Sequence, residues 1–247
     1  SRSPAAPSFC PQVSRKESVT FNKGNTPRIL AYDCGMKNNI IRFMLNIHKV
    51  QLTIVPFDYD LEKNPEKIEW DGLFVSNGPG NPEMASACTA SIKWALALEP
   101  PKPIFGICLG NQLMALAAGA TTYKLKYGNR SMNQPCIDMR TTRCYITPQN
   151  HGFAVDPATL KPGWKTFFMN ANDKSNEGII HESKPFFSVQ FHPEACGGPA
   201  DTGFLFDMFR ERVSDVAPRV HCIDCAEYNR PTCKKVLLLG SGGLSIG

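Results

Sequence analysis

From Arg28 onward the apolar positions follow two periods in turn. RILAYDC, residues 28–34, is a short β-type run. The next stretch, KNNIIRFMLNI, sets Ile40, Ile41, Met44 and Leu45 at helical spacing. VQLTIVPF, WDGLFVSNGPG and KPIFGI predict three more strands. ACTASIKWALALE and LGNQLMALAAG predict two more helices. Strands alternating with helices of about ten residues imply a parallel sheet with helices on both faces. Near-continuous apolar strands fit burial on both sides. The fold class expected is therefore α/β, an open and mostly parallel sheet.

After Thr121 the pattern changes. TTYKLKYG, CIDMR, RCYITP, WKTFFMN, EGIIHE and PFFSVQFHPE are short β-like runs, which suggest an antiparallel extension of the same sheet. DTGFLFDMFRERVSD predicts a closing amphipathic helix.

These periods divide the chain. Residues 1–27 are rich in Ser, Pro, Lys and Asn without a sustained period, and read as a disordered leader or the remnant of something removed. Residues 28–213 form the main domain and 214–233 a linker. In 234–247, KKVLLLGSGGLSIG reads as the first strand and Gly-rich turn of another α/β module, cut before its helix. No internal repeat is present.

Composition narrows the function classes. Lys and Arg outnumber Asp and Glu by 27 to 22, and the basic residues are scattered, so nucleic acid is not an expected partner. No apolar run approaches the roughly 20 residues that cross a membrane. The start lacks both Met and a hydrophobic signal region. The ten cysteines sit singly except for Cys222, Cys225 and Cys233, which implies free thiols in a reducing compartment. The cluster HCIDCAEYNRPTC, with His221, invites a zinc reading, but its spacing is incomplete and no metal is expected.

The candidate chemistry lies in PIFGICLGNQLMALAAGA. Cys108 stands where a strand becomes a helix, framed by Gly106 and Gly110. In open α/β sheets ligands bind beyond the carboxyl ends of the strands. The G-x-C-x-G spacing is that of a nucleophile elbow, where small neighbours permit a sharp turn that exposes the side chain. A helix N-terminus favours the thiolate, and its N–H groups are suited to an oxyanion. The competing reading is a cysteine packed in the core.

A nucleophilic thiol needs a base. His192, in SVQFHPE, ends a strand, and Glu194 follows two residues on, placed to orient the imidazole. His151, in QNHGF, competes from a polar, Gly-containing turn. Gly78 and Gly80 of SNGPGNP end the preceding strand and bring bare backbone toward the cysteine.

SNGPGNP, GICLGNQ and FHPE together resemble class I glutamine amidotransferase domains. AYDCGMKNNIIR, YGNRSMNQP, QNHGFAVD, NANDKSNEGI and SVQFHPE resemble the glutaminase branch of carbamoyl phosphate synthetases, over roughly Arg28 to Arg212. The terminal KVLLLGSGGLSIG looks like the start of the synthetase large domain. That order resembles fused eukaryotic enzymes and implies a piece of a longer chain, lacking the small domain that usually precedes the glutaminase.

The resemblance implies a flavodoxin-like architecture and glutamine hydrolysis through a cysteinyl thioester. Cys108 is then the nucleophile, His192 the base and Glu194 its orienting carboxylate. Glutamine is held by Gly78, Gly80, Leu109, Gln112, Asn150, Gly152 and Phe153. No cofactor is expected in this chain; ATP and Mg2+ belong to the synthetase domain, the implied partner that receives the ammonia. An oligomer through parts outside the chain and a cytoplasmic location are expected, or a mitochondrial one for the urea-cycle branch.

One departure bears on activity. Asn111 stands where the family has His, as in the urea-cycle branch, parts of which use free ammonia. The alternative reading is therefore a domain without turnover that acts as a scaffold or regulator. A different cysteine hydrolase on the same fold is the third.

Overall fold

The computed structural model describes residues 9–195 and 200–214. Its strands in chain order are β1 (Val19–Phe21), β2 (Arg28–Asp33), β3 (Gln51–Pro56), β4 (Gly72–Val75), β5 (Ile104–Ile107), β6 (Thr122–Asp138), β7 (Cys144–Val155), β8 (Trp164–Asn170), β9 (Asn176–His181) and β10 (Phe186–Val189). They form one sheet in the order β1-β3-β2-β4-β5-β10-β9-β8-β6-β7. The central run β3-β2-β4-β5-β10 is parallel. The strands from β9 outward are antiparallel, as is β1 on β3. The expected parallel sheet with an antiparallel extension is thus found.

Alternate residues of each central strand feed opposite cores. Leu30, Tyr32, Leu73, Val75 and Ile104 point to one side, against α3 (Ser86–Leu96) and α4 (Leu109–Ala117). Ile29, Ala31, Phe74, Phe105 and Ile107 point to the other, where α2 (Asn38–Arg42) and α5 (Phe204–Val213) deliver Ile40, Leu205, Phe206 and Phe209. A strand with period two between two helical layers must be apolar throughout, which is the pattern its sequence carries. Among the described residues no helix is long and apolar enough to cross a membrane.

The structure corrects three expectations. Residues 9–27 are not a structureless leader. Val19, Thr20 and Phe21 pair with Ile54, Thr53 and Leu52 at the sheet edge, and Cys10 is buried in the core. A three-residue strand has no detectable period, and only its distant partner specifies it. The predicted helix after β2 is α-helical only to Arg42, and then continues as a π-helical turn, Phe43–Ile47. The runs TTYKLKYG, the CID of CIDMR and the CYITP of RCYITP, with the QNHGF that follows, merge into two long strands of a hairpin. Its Gly, Asn and Pro residues read as breakers, but two register shifts absorb the irregular positions. The expected linker, apart from Ser214, and the module at 234–247 lie outside the described residues, as does the cluster at 221–233.

Candidate active site

Four loops meet beyond the carboxyl ends of β2, β4, β5 and β10. The hairpin β6–β7 closes the fourth side, leaving a cleft of about 380 Å³. Cys108 lies on its floor. Its backbone has φ 56° and ψ −104°, a strained conformation for a residue with a side chain, at the N-cap of α4. The turn is held by the Cys108 N–H, which donates to Val189 O at 2.8 Å. It also requires the glycine frame: a Cβ on Gly110 lies 2.2 Å from Val75 O, and one on Gly106 lies 2.7 Å from the Gly110 backbone.

His192 follows β10 and faces the same cleft. Its Nδ1 is 2.8 Å from Glu194 Oε1, and its backbone N–H donates to Pro148 O at 2.9 Å. Lys37, from the loop after β2, places Nζ 3.1 Å from His192 Nδ1 and 3.3 Å from Glu194 Oε1. Asn39 anchors the Glu194 main-chain carbonyl. His192 and Glu194 are both buried.

Burial opposes the Cys108 thiolate, but the adjoining His192, its hydrogen bond and His151 outweigh it, so the thiol titrates below its ordinary value. Burial likewise disfavours the His192 cation. Cys108 and Glu194 overcome this and lift the imidazole to about 9. Glu194 is pushed up by burial and pulled down further by His192 and Lys37, ending below the usual carboxylate range. Both shifts favour the thiolate–imidazolium pair.

The glycine-rich loop after β4 forms the opposite wall. A Cβ on Gly78 meets Cys34 O at 2.2 Å, so this position admits no side chain, and Gly80 has φ 101°. Gln112 points into the cleft, its amide donating to Phe153 O and Gln190 Oε1, both at 3.0 Å. Asn150, Gly152 and Phe153 line the hairpin side, with Asn150 O 3.9 Å from Cys108 Sγ.

Two expected site residues do not line the cleft. Leu109 buries its side chain in the core and offers only its backbone N–H at the helix start, where no intrahelical acceptor exists. Glu194 stands behind His192. Sequence reasoning assigned no role to Lys37, Asn77 and Arg130, which also line the cleft. Lys37 and Asn77 sit in loops joined by a two-bond tie: the Lys37 N–H donates to Asn77 Oδ1 at 3.1 Å, and the Asn77 amide donates to Gly35 O at 3.0 Å. No local signal in either loop announces it. His151 belongs to β7 rather than to a turn, and lines the cleft beside the cysteine.

A parallel sheet with a strained cysteine at a strand–helix corner, facing a histidine–carboxylate pair, defines an α/β protein of the nucleophile-elbow class. The model of the family described as glutamine amidotransferase class-I matches residues 30–212. The chain belongs to that family. Among curated relatives, multifunctional protein pyr1-3 of Dictyostelium discoideum is 50% identical over 244 residues, covering 96% of this chain and 11% of the relative. Multifunctional protein CAD of Squalus acanthias is 49% identical over 255 residues, again 96% of this chain and 11% of the relative. The mitochondrial carbamoyl-phosphate synthase (ammonia) of Aquarana catesbeiana is 46% identical over 244 residues, 96% of this chain and 16% of the relative. The chain thus spans a small part of the length of these relatives. Among solved structures, a glutamine amidotransferase from Thermotoga maritima shares the fold at a TM-score of 0.55 and 19% identity, covering 78% of this chain and 86% of that one.

Proposed function

We propose that this chain hydrolyses glutamine to glutamate and ammonia and supplies the ammonia to a carbamoyl phosphate synthetase. The observation that carries the reading is the placement of Cys108, strained and thiolate-prone, in one cleft with His192. Cys108 attacks the side-chain amide of glutamine. Backbone N–H groups at Gly80 and Leu109 receive the oxyanion. His192, oriented by Glu194, gives its proton to the departing ammonia, and water then releases glutamate from the thioester. Gly78, Gln112, Asn150, Gly152 and Phe153 form the wall that holds the amino acid. Its strands and loops come from separate parts of the chain, so the wall exists only in the folded domain.

The names and identities of the relatives support carbamoyl phosphate synthesis as the consumer of the ammonia, with ATP and Mg2+ used on the synthetase. Pyrimidine formation in the cytoplasm is the setting favoured by the multifunctional relatives. Arginine or urea formation, in mitochondria, is the counterpart favoured by the ammonia-named relative. An aspartate transcarbamoylase module further along the full transcript marks the pyrimidine assignment.

A second reading is favoured by Asn111 and by that same relative: a domain without turnover that supports an ammonia-dependent synthetase. The test is glutamate release from glutamine by the full chain with its synthetase. Carbamoyl phosphate made from glutamine upholds the first reading. Production from ammonia alone replaces it with the second.

A further inference from the structure

A second histidine–carboxylate pair adjoins the cleft. His151 is buried on β7, and both its ring nitrogens face hydrogen-bond acceptors. Nδ1 lies 2.9 Å from Phe153 O, a carbonyl that only accepts. Nε2 lies 3.1 Å from Gln149 Oε1 and 3.5 Å from Glu177 Oε1. The Gln149 amide is oriented by its other end. Thr147 donates its hydroxyl to Gln134 O at 2.9 Å and so presents a lone pair to Gln149 Nε2 at 3.2 Å. The carboxamide oxygen is left toward His151.

A neutral imidazole has one donor and one acceptor nitrogen, and cannot satisfy acceptors on both sides. The ring fits its surroundings only when both nitrogens carry protons. The counter-charge is at hand. Glu177 on β9 is fully buried, competes at 3.1 Å for a Ser175 hydroxyl that lies 2.6 Å from Asp173 Oδ1, and has a second oxygen, Oε2, without a hydrogen-bond partner among the described residues. A buried carboxylate so sparsely solvated persists only beside a cation.

We propose that Glu177 is a positioning residue that keeps His151 protonated, so that the Cys108 thiolate faces a second imidazolium besides that of His192. The inference rests on the glutaminase reading for its catalytic meaning and deepens it. The charged and titratable groups around His151 are Cys108 at the elbow, His192 after β10, Arg130 and Cys136 on β6, Asp173 before β9, and Glu177 itself. Burial lowers the His151 titration, but the hydrogen bond and charge of Glu177 outweigh it and the net direction is upward. Burial pushes the Glu177 carboxyl up, and His151 and Ser175 offset this only in part. His151 figures among the groups that lower the Cys108 thiol, after His192, while Glu194 opposes them.

Glu177→Gln removes the charge while keeping the shape and an acceptor oxygen. The experiment follows alkylation of Cys108 by iodoacetamide against pH in the full chain, with the adduct placed by mass spectrometry. The midpoint of the rate profile is expected to rise by about one unit in Glu177→Gln, a tenfold smaller thiolate fraction at a given pH below it. Glu177→Asp, which keeps the charge, is expected to stay near wild type. A folded Glu177→Gln protein with an unshifted midpoint overturns the proposal, even if activity is lost, because that loss marks a structural role only. If the variant does not fold, 15N spectra of wild-type histidines decide: a doubly protonated His151 at pH 7.5 upholds the proposal and a neutral ring overturns it. Alkylation needs no substrate, so a shifted midpoint in a chain that releases no glutamate refutes the glutaminase reading and leaves the charge assignment standing.

Discussion

Asn111 donates its side-chain amide to Gln190 Oε1 at 3.1 Å, buried beneath α4. Its own oxygen accepts from Ser188 Oγ at 2.8 Å. Gln112 reaches the same Gln190 oxygen at 3.0 Å but also lines the cleft. Neighbours in sequence thus divide between support and cleft: Asn111 ties the helix to the sheet, and Gln112 carries that tie to the cleft wall.

Asn111→Ala is expected to destabilise the fold by about 1–3 kcal/mol, since Ser188 and Gln190 lose buried partners. Denaturant midpoints measure this. The KM for glutamine is expected to change little, whereas Gln112→Ala raises it. A KM rise in Asn111→Ala as large as that in Gln112→Ala places Asn111 in the binding site and defeats this assignment.

Cys108→Ser is expected to abolish thioester formation while the circular dichroism spectrum stays that of wild type, because a hydroxyl without a lowered pKa is a far weaker nucleophile. A reactive glutamine analogue should leave its adduct on Cys108. An adduct on another cysteine, with Cys108 unmodified, contradicts the mechanism.

His192→Ala is expected to cost ~10²–10⁴-fold in kcat, the usual range for a lost acid–base group. His151→Ala should cost less, since that ring supplies charge and no proton transfer. Glu194→Gln should also cost less than His192→Ala, because it weakens the orientation of the base without removing it. A loss at His151 equal to that at His192 means that the two histidines have been assigned the wrong way round.

The pH dependence follows from signs. His192 must carry a proton to release ammonia, and its imidazole is lifted to about 9. Turnover is expected to fall as pH rises through that value. Cys108 must lose its proton, and its thiol lies below the ordinary value, so the acidic limb sits below that of a free cysteine. The profile of kcat/KM against pH measures both limbs. Activity that still climbs above pH 10 is incompatible with His192 as the acid.

Gly110→Ala should destabilise the domain by about 3 kcal/mol or more, because its Cβ lies 2.2 Å from Val75 O, a backbone atom within the sheet. Gly152→Ala is the control. The nearest atom there is Arg130 Nη2 at 3.5 Å, on a movable side chain, and the fold is expected to tolerate it. Thermal unfolding of the two variants compares them; equal melting temperatures refute the steric account of the elbow.

The sequence by itself determined the parallel core and the elbow. The ILAY within strand RILAYD is unbroken by charge because both faces are covered, and that pattern is visible without coordinates. Cys108 between two glycines announced a strained corner for an equally local reason. His192 and Glu194 were legible because they stand two residues apart, although it is a turn, closed from the Ala195 N–H to His192 O at 3.1 Å, rather than an extended stretch that brings them together. Tertiary structure alone decided what depends on partners far along the chain. The edge strand Val19–Phe21 exists through its pairing with Leu52–Ile54. The hairpin carries His151 to the cleft by pairing across residues that read as breakers. Lys37 reaches Glu194 across 157 positions of chain, and His151 meets Glu177 on a different strand. Local spacing encodes backbone conformation and nearest neighbours. Which distant charges share one buried volume is set by strand order and register, and these fix the electrostatics of the site.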